Sequence, residues 1–170
     1  MTVKWSLLLT ALATLLISSP ITTKADVGKV TEQTGPTEIR RSGSVVPSAV
    51  QAAIEMNDAI VTANSKAGIT FIDDTKVQIT EHSKLVIDEF VYDGNPSTSK
   101  MALNFASGTV RFATGQLGKI NKQNISLNTP TSTIAVRGTD FSMTVDELGR
   151  SLVMLLPSCD KKTCVTGAIE

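Results

Sequence analysis

The sequence predicts an all-β domain, a compact sandwich or roll of short strands, and three observations carry that prediction. Short apolar runs that alternate or are rich in β-branched residues recur between residues 28 and 156. Clusters of Gly, Pro, Asn, Asp and Ser separate them. Helical signals are few. Together these features define an all-β class. The even strand spacing suits a roll or a short solenoid. At most one short helix is expected, near residues 48–60.

The chain opens MTVKWSLLLTALATLLISSPITTKA, with Lys4 ahead of an apolar run from Leu7 to Ile17. Thr23-Lys24-Ala25 then offers small residues for cleavage. This is the pattern of a secretory signal peptide over residues 1–25, cut after Ala25. The run is short for a membrane span, although an uncleaved anchor is the other reading. Residues 26–170 fit one domain. The 16 basic residues lose Lys4 and Lys24 with the leader, leaving 14 against 16 acidic residues. That balance provides no basic stripe for phosphates, so nucleic acid is excluded as a partner. No later stretch is apolar enough to cross a bilayer, so no stable membrane span is expected after cleavage. The protein is expected to be exported, to the periplasm or beyond the cell.

The elements follow in order. GKVTEQTGPTEIRRSG, from Gly28, reads as two short strands around Gly35-Pro36. Residues 47–61, PSAVQAAIEMNDAIV, are Ala-rich; Ser48 could cap, and Val50 and Ile54 could share a helical face. A short helix or an irregular strand approach are both open there. AGITFIDDTKVQIT puts Ile69, Phe71, Val77 and Ile79 on one parity around an Asp73-Asp74-Thr75 turn. KLVIDEFVY follows, with Leu85, Ile87 and Val91 as inward candidates, and DGNPSTSK reads as a solvated loop. MALNFASGTVRFATG, NISLNTP, TIAVRGTDFSMTV and SLVMLL supply further strands.

In TIAVRGTDFSMTV, Ile134 and Val136 are even-numbered, whereas Phe141, Met143 and Val145 are odd. Strand side chains alternate faces, so this parity change would turn half the strand inside out. A β-bulge at Arg137-Gly138 would keep all five inward, with glycine at the unusual backbone position. Arg137 could hold Asp140 or an anionic ligand, but pinning the carbonyls that a bulge exposes is the favoured role.

The only cysteines, Cys159 and Cys164, are expected to form a disulfide in an exported protein. Two thiols and one histidine make a poor metal site, and no metal or cofactor is expected. His82 lies in a polar turn, no nucleophile elbow is present, and neighbouring carboxylates such as Asp73-Asp74 or Asp88-Glu89 point to opposite faces. Nothing supports an enzyme.

TPTSTIAVRGTDF resembles the Thr-Pro, apolar strand and Arg-Gly-Thr of the FecR-domain family. MNDAIVTANSKAGITFIDDTKVQI is similar to the family's Asp before an apolar pair, followed by two strands around an Asp-containing turn. SKLVIDEFVYD and SGTVRFATG resemble further segments, so the likeness spans about residues 28–156. Family turns carry Asp-Gly where this chain has Asp73-Asp74. The resemblance marks Asp58, Thr129, Pro130, Arg137, Gly138 and Thr139 as fold-shaping motif positions. It implies a stand-alone exported member, a non-enzymatic module that binds a protein of the cell envelope in signalling or regulation. The well-known cytoplasmic anti-sigma region and membrane helix are not seen ahead of this domain, and its final strand at VTGAIE reads as incomplete. The alternative is a structural or assembly protein that associates with itself through open strand edges.

Overall fold

The computed structural model describes residues 25–120, 124–137, 140–159, 163–165 and 168–169. One curled, largely antiparallel sheet makes up nearly the whole domain. Its first strands are β1 (Asp26–Thr34), β2 (Thr37–Arg41), β3 (Ser44–Pro47), β4 (Ala53–Glu55), β5 (Ala59–Thr62) and β6 (Lys66–Phe71). Then come β7 (Lys76–Ile79), β8 (Lys84–Val91) and the long β9 (Lys100–Ala113), followed by a single turn of helix, α1 (Leu117–Ile120). The remainder comprises β10 (Ile125–Asn128), β11 (Thr133–Arg137), β12 (Asp140–Val145), β13 (Ser151–Leu156), β14 (Ser158–Cys159), β15 (Cys164–Val165) and β16 (Ala168–Ile169).

Strand β9 belongs to both wings of the roll. Its first half pairs with β8 and, in parallel, with β10. Its second half pairs with β7 and β12. One wing runs β3-β2-β5-β8-β9-β10-β11, and the other runs β4-β1-β6-β7-β9-β12-β13. A parallel solenoid would need stacked parallel pairs, but β10–β9 is the one parallel pair among the described strands, so the roll is the form adopted.

The alternation read from sequence builds the core. Ile69, Phe71, Val77 and Ile79 are all buried, as are Leu85 and Ile87. Phe71 of one wing stacks on Phe90 of the other with ring centroids 5.2 Å apart. Phe112 and Phe141, cross-strand partners, stack at the same distance. Each such side chain contributes about 1.5–3 kcal/mol by leaving water. Phe90, and not Val91, is the inward residue: β8 shifts register between Ile87 and Glu89, which inverts its parity.

The helix expected near residues 48–60 does not form. That stretch holds β4 and the start of β5, with Gln51 and Asn57 at φ 75° and 67°. Left-handed residues interrupt a right-handed helix. The one helical turn lies instead at Leu117–Ile120.

The parity change in TIAVRGTDFSMTV is a change of wing. Ile134, Val136, Phe141, Met143 and Val145 are all buried, as the sequence requires. Yet β11 pairs with β10 and β16, whereas β12 pairs with β9 and β13. The two segments share no partner, so the inversion is a passage between wings and not an extra residue within one strand pair. Of the Arg137-Gly138 pair expected to bulge, Gly138 lies outside the described residues, as does Thr139. Strand β9 makes the same inversion: Met101, Leu103 and Phe105 are buried, then Val110 and Phe112. Gly108 sits between them at φ +99°, and a Cβ there would lie 2.6 Å from the Cα of Ser83. Only glycine fits.

Candidate functional site

Asp58 is fully buried just ahead of β5. Arg41, at the end of β2, donates from Nε to its Oδ1 at 2.9 Å and from Nη2 to its Oδ2 at 2.7 Å. The same guanidinium reaches the Ala53 carbonyl at 3.0 Å and pairs with Glu55, whose backbone N–H donates to Asp58 at 2.8 Å. Donation to the Asp58 carboxylate raises the Arg41 pKa, against the lowering by burial. The cluster ties β2, β4 and β5 together. Sequence reading singled out Asp58 and missed its partner. The signal was there, since Thr37, Ile39 and Arg41 share the inward parity.

Asp73 and Asp74 diverge within the β6–β7 turn. Asp74 is exposed at φ 66°, so it takes the left-handed turn position that glycine holds in the resembling turns. Asp73 is fully buried. It accepts hydrogen bonds from the Thr75 hydroxyl at 2.7 Å and the Leu117 N–H at 3.2 Å. The Thr75 hydroxyl oxygen in turn accepts from the Gly115 N–H at 3.0 Å. This acid therefore closes the segment after β9 onto the β6–β7 turn.

Thr129 and Pro130 form the β10–β11 turn, where the Thr129 N–H donates to Ser132 at 2.8 Å. The turn leans on the β12–β13 hairpin: the Thr131 hydroxyl donates to the Gly149 carbonyl at 2.8 Å, and Ser151 donates to Thr129 at 2.9 Å. Arg137 ends β11 with its backbone in register with Ala168. The register of β14 and β15 sets Cys159 opposite Cys164. Ala25 precedes β1 and is exposed. His82 is exposed at a turn, remote from these clusters in its contacts. Among the described residues, the structure thus does not gather the motif positions into one pocket.

Two surface features lie on the outer face of the wing that ends in β13. The first is a groove of about 380 Å³ across β1, β6, β7, β9 and β12, lined by Glu32, Gly68, Gln78, Thr109, Arg111 and Ser142 among others. The Glu32 side chain lies over Gly68, where an added Cβ would come within 3.1 Å of the Glu32 Cβ, and Gln78 donates to Glu32 at 3.4 Å. Arg111 and Lys76 border an adjoining hollow beside Ala113, and neither forms an ion pair among the described residues. The hydroxyls here bond to the sheet or to each other: Ser142 donates to the Val110 carbonyl, and Thr109 pairs with Thr144 at 2.9 Å. The second feature is β13 itself, which exposes Leu152 and Met154 on that face, with Leu148 in the preceding turn. No cluster of metal-ligating side chains occurs among the described residues, and none of their helices is long and apolar enough to span a membrane.

Residues 58–156, more than half of the chain, match the FecR protein family. The chain belongs to the FecR family. FecR proteins are a non-enzymatic regulatory family that acts in signalling with protein partners. No curated protein and no solved structure is significantly similar to it. The matched span opens on the buried Asp58 and closes on the last residue of β13. The FecR match excludes β1 to β4, although β1 pairs with β6 and β2 with β5 in the same sheet.

Proposed function

We propose that this FecR protein is an exported, non-enzymatic module of cell-envelope regulation that binds another protein through the outer face of the β13 wing. The leader-like residues 1–25 support export, and membership of a regulatory family supports the role. The observation that carries the binding reading is the open groove with Arg111 at its side and no acid paired to it among the described residues. An acidic side chain of the partner would meet Arg111 in the groove and Lys76 in the hollow beside it.

In-cell photo-cross-linking from Gln78 and Thr109, followed by mass spectrometry, tests this. Links to one envelope protein, lost in Arg111→Glu, are expected. Cytoplasmic recovery of the protein, or links that survive that substitution, would reject it. An assembly role is the second reading, favoured by the uncharged, exposed edge of β13.

A further inference from the structure

The strands at the borders of the sheet are not treated alike. β3 is four residues long, ends in Pro47 and follows Arg40-Arg41; β4 is three residues long and ends in Glu55. Short length, proline and charge are the usual guards against strand addition. β13 is six residues long, carries no charge or proline, and among the described residues pairs only with β12. Its outer-face side chains are Leu152, Met154 and Leu156, opposite Thr144, Ser142 and Asp140.

We propose that β13 pairs with β13 of a second copy, antiparallel, about a twofold axis at Met154. The hydrogen-bonding groups decide which residues face the partner. The Asp146 N–H donates to the Arg150 carbonyl at 3.0 Å, so Leu152, Met154 and Leu156 bond to β12 in alternation, leaving Ser151, Val153 and Leu155 to bond outward. Centring the pair on Met154 sets Val153 opposite Leu155 of the other copy. Two narrow hydrogen-bonded pairs result, and Ser151 donates to the Pro157 carbonyl.

The same register sets Met154 against Met154 and Leu152 against Leu156 on the outer face. Moving the centre to Val153 would instead put Arg150 against Leu156. The edge carries no charge from Ser151 to Leu156, so a second copy fits it better than a charged partner strand.

The contact is small. Stable complexes bury about 1,200–2,000 Å², and one pair of six-residue strands about 20 Å long falls short of that. The dimer forms weakly, as concentration rises. Because the axis is perpendicular to the sheet, the two grooves lie on the same side of one continuous surface. The pairing stands independently of what the groove binds.

Sedimentation and light scattering of residues 26–170 over rising concentration test the proposal. The average mass should climb toward twice that of the monomer, and Met154→Arg, at an exposed position, should hold it at the monomer while the fold is retained by circular dichroism. Mild oxidation of Met154→Cys should give a covalent dimer through that position, mapped by peptide mass. Val153→Cys should give several-fold less. A monomer at every concentration, equal cross-linking of the two variants, or a dimer indifferent to Met154→Arg would overturn it.

Discussion

Arg41 clasps the fully buried carboxylate of Asp58 with two parallel hydrogen bonds, 2.9 and 2.7 Å long, at the junction of β2 and β5. Breaking such a pair from one side strands a charge, at about 3–5 kcal/mol. Arg41→Met should therefore destabilise strongly. In a double-mutant cycle with Asp58→Leu, denaturant titration should find the pair coupled by more than about 1 kcal/mol. Additive losses would show that the clasp is incidental.

Gly108 stands where β9 passes between wings, at positive φ and against the Ser83 backbone. Gly108→Ala combines backbone strain with a clash that no side-chain rotation relieves. A loss above about 3 kcal/mol, or failure to fold, is expected. Gly43→Ala, with nothing within 4 Å at φ +82°, is the control and should cost far less. Equal thermal shifts would remove the argument from packing.

Thr75 links Asp73 to Gly115 through one hydroxyl. Thr75→Val keeps the shape and leaves both partners short of a bond, at about 1–3 kcal/mol. Hydrogen exchange should quicken first at Gly115 and Leu117. Uniform acceleration across the sheet would contradict a local staple.

Two aspartates give opposite pH signatures. Thr98, the Asn95 N–H and Ser99 hydrogen-bond the Asp93 carboxylate and lower its pKa. Its contribution is present above the unfolded value and is lost as pH falls. Burial raises the pKa of Asp88, so its ionised form weakens the fold at neutral pH and that penalty fades on acidification. Asp93→Asn should be the less stable variant, and Asp88→Asn more stable than the parent at neutral pH. The Asp88 difference should fade as pH falls toward about 4, whereas the Asp93 difference should shrink only below about pH 4. Melting curves at several pH values check the signs.

The register of β14 and β15 predicts a Cys159–Cys164 disulfide in the oxidised protein. Intact mass should rise by two hydrogens on reduction. Free thiols in material from an oxidising compartment would refute it.

What the sequence made legible was local. Period-two alternation located the core of β6, β7, β11 and β12 because each strand has one dry face. The Thr-Pro and Arg-Gly-Thr motifs led to the family. Wing membership was not legible, since the partners of β9 are separated from it along the chain and no local spacing records them. The parity change after Val136 was visible, but its cause was a change of neighbours. Residues 48–60 read as either helix or strand because alanine content imitates helix propensity, while Gln51 and Asn57 take left-handed turn positions. The outer groove left no pattern, because its lining alternates with core residues on five different strands.

The shared strand also governs the timetable of folding. Strands β1 to β8 divide between the two wings before β9 begins at Lys100, and each wing needs β9 as its next member. A chain delivered from its N-terminus therefore holds two unfinished half-sheets until residue 113 has emerged. Each wing can thus close only late, once β9 is available, an order that would suit the proposed export.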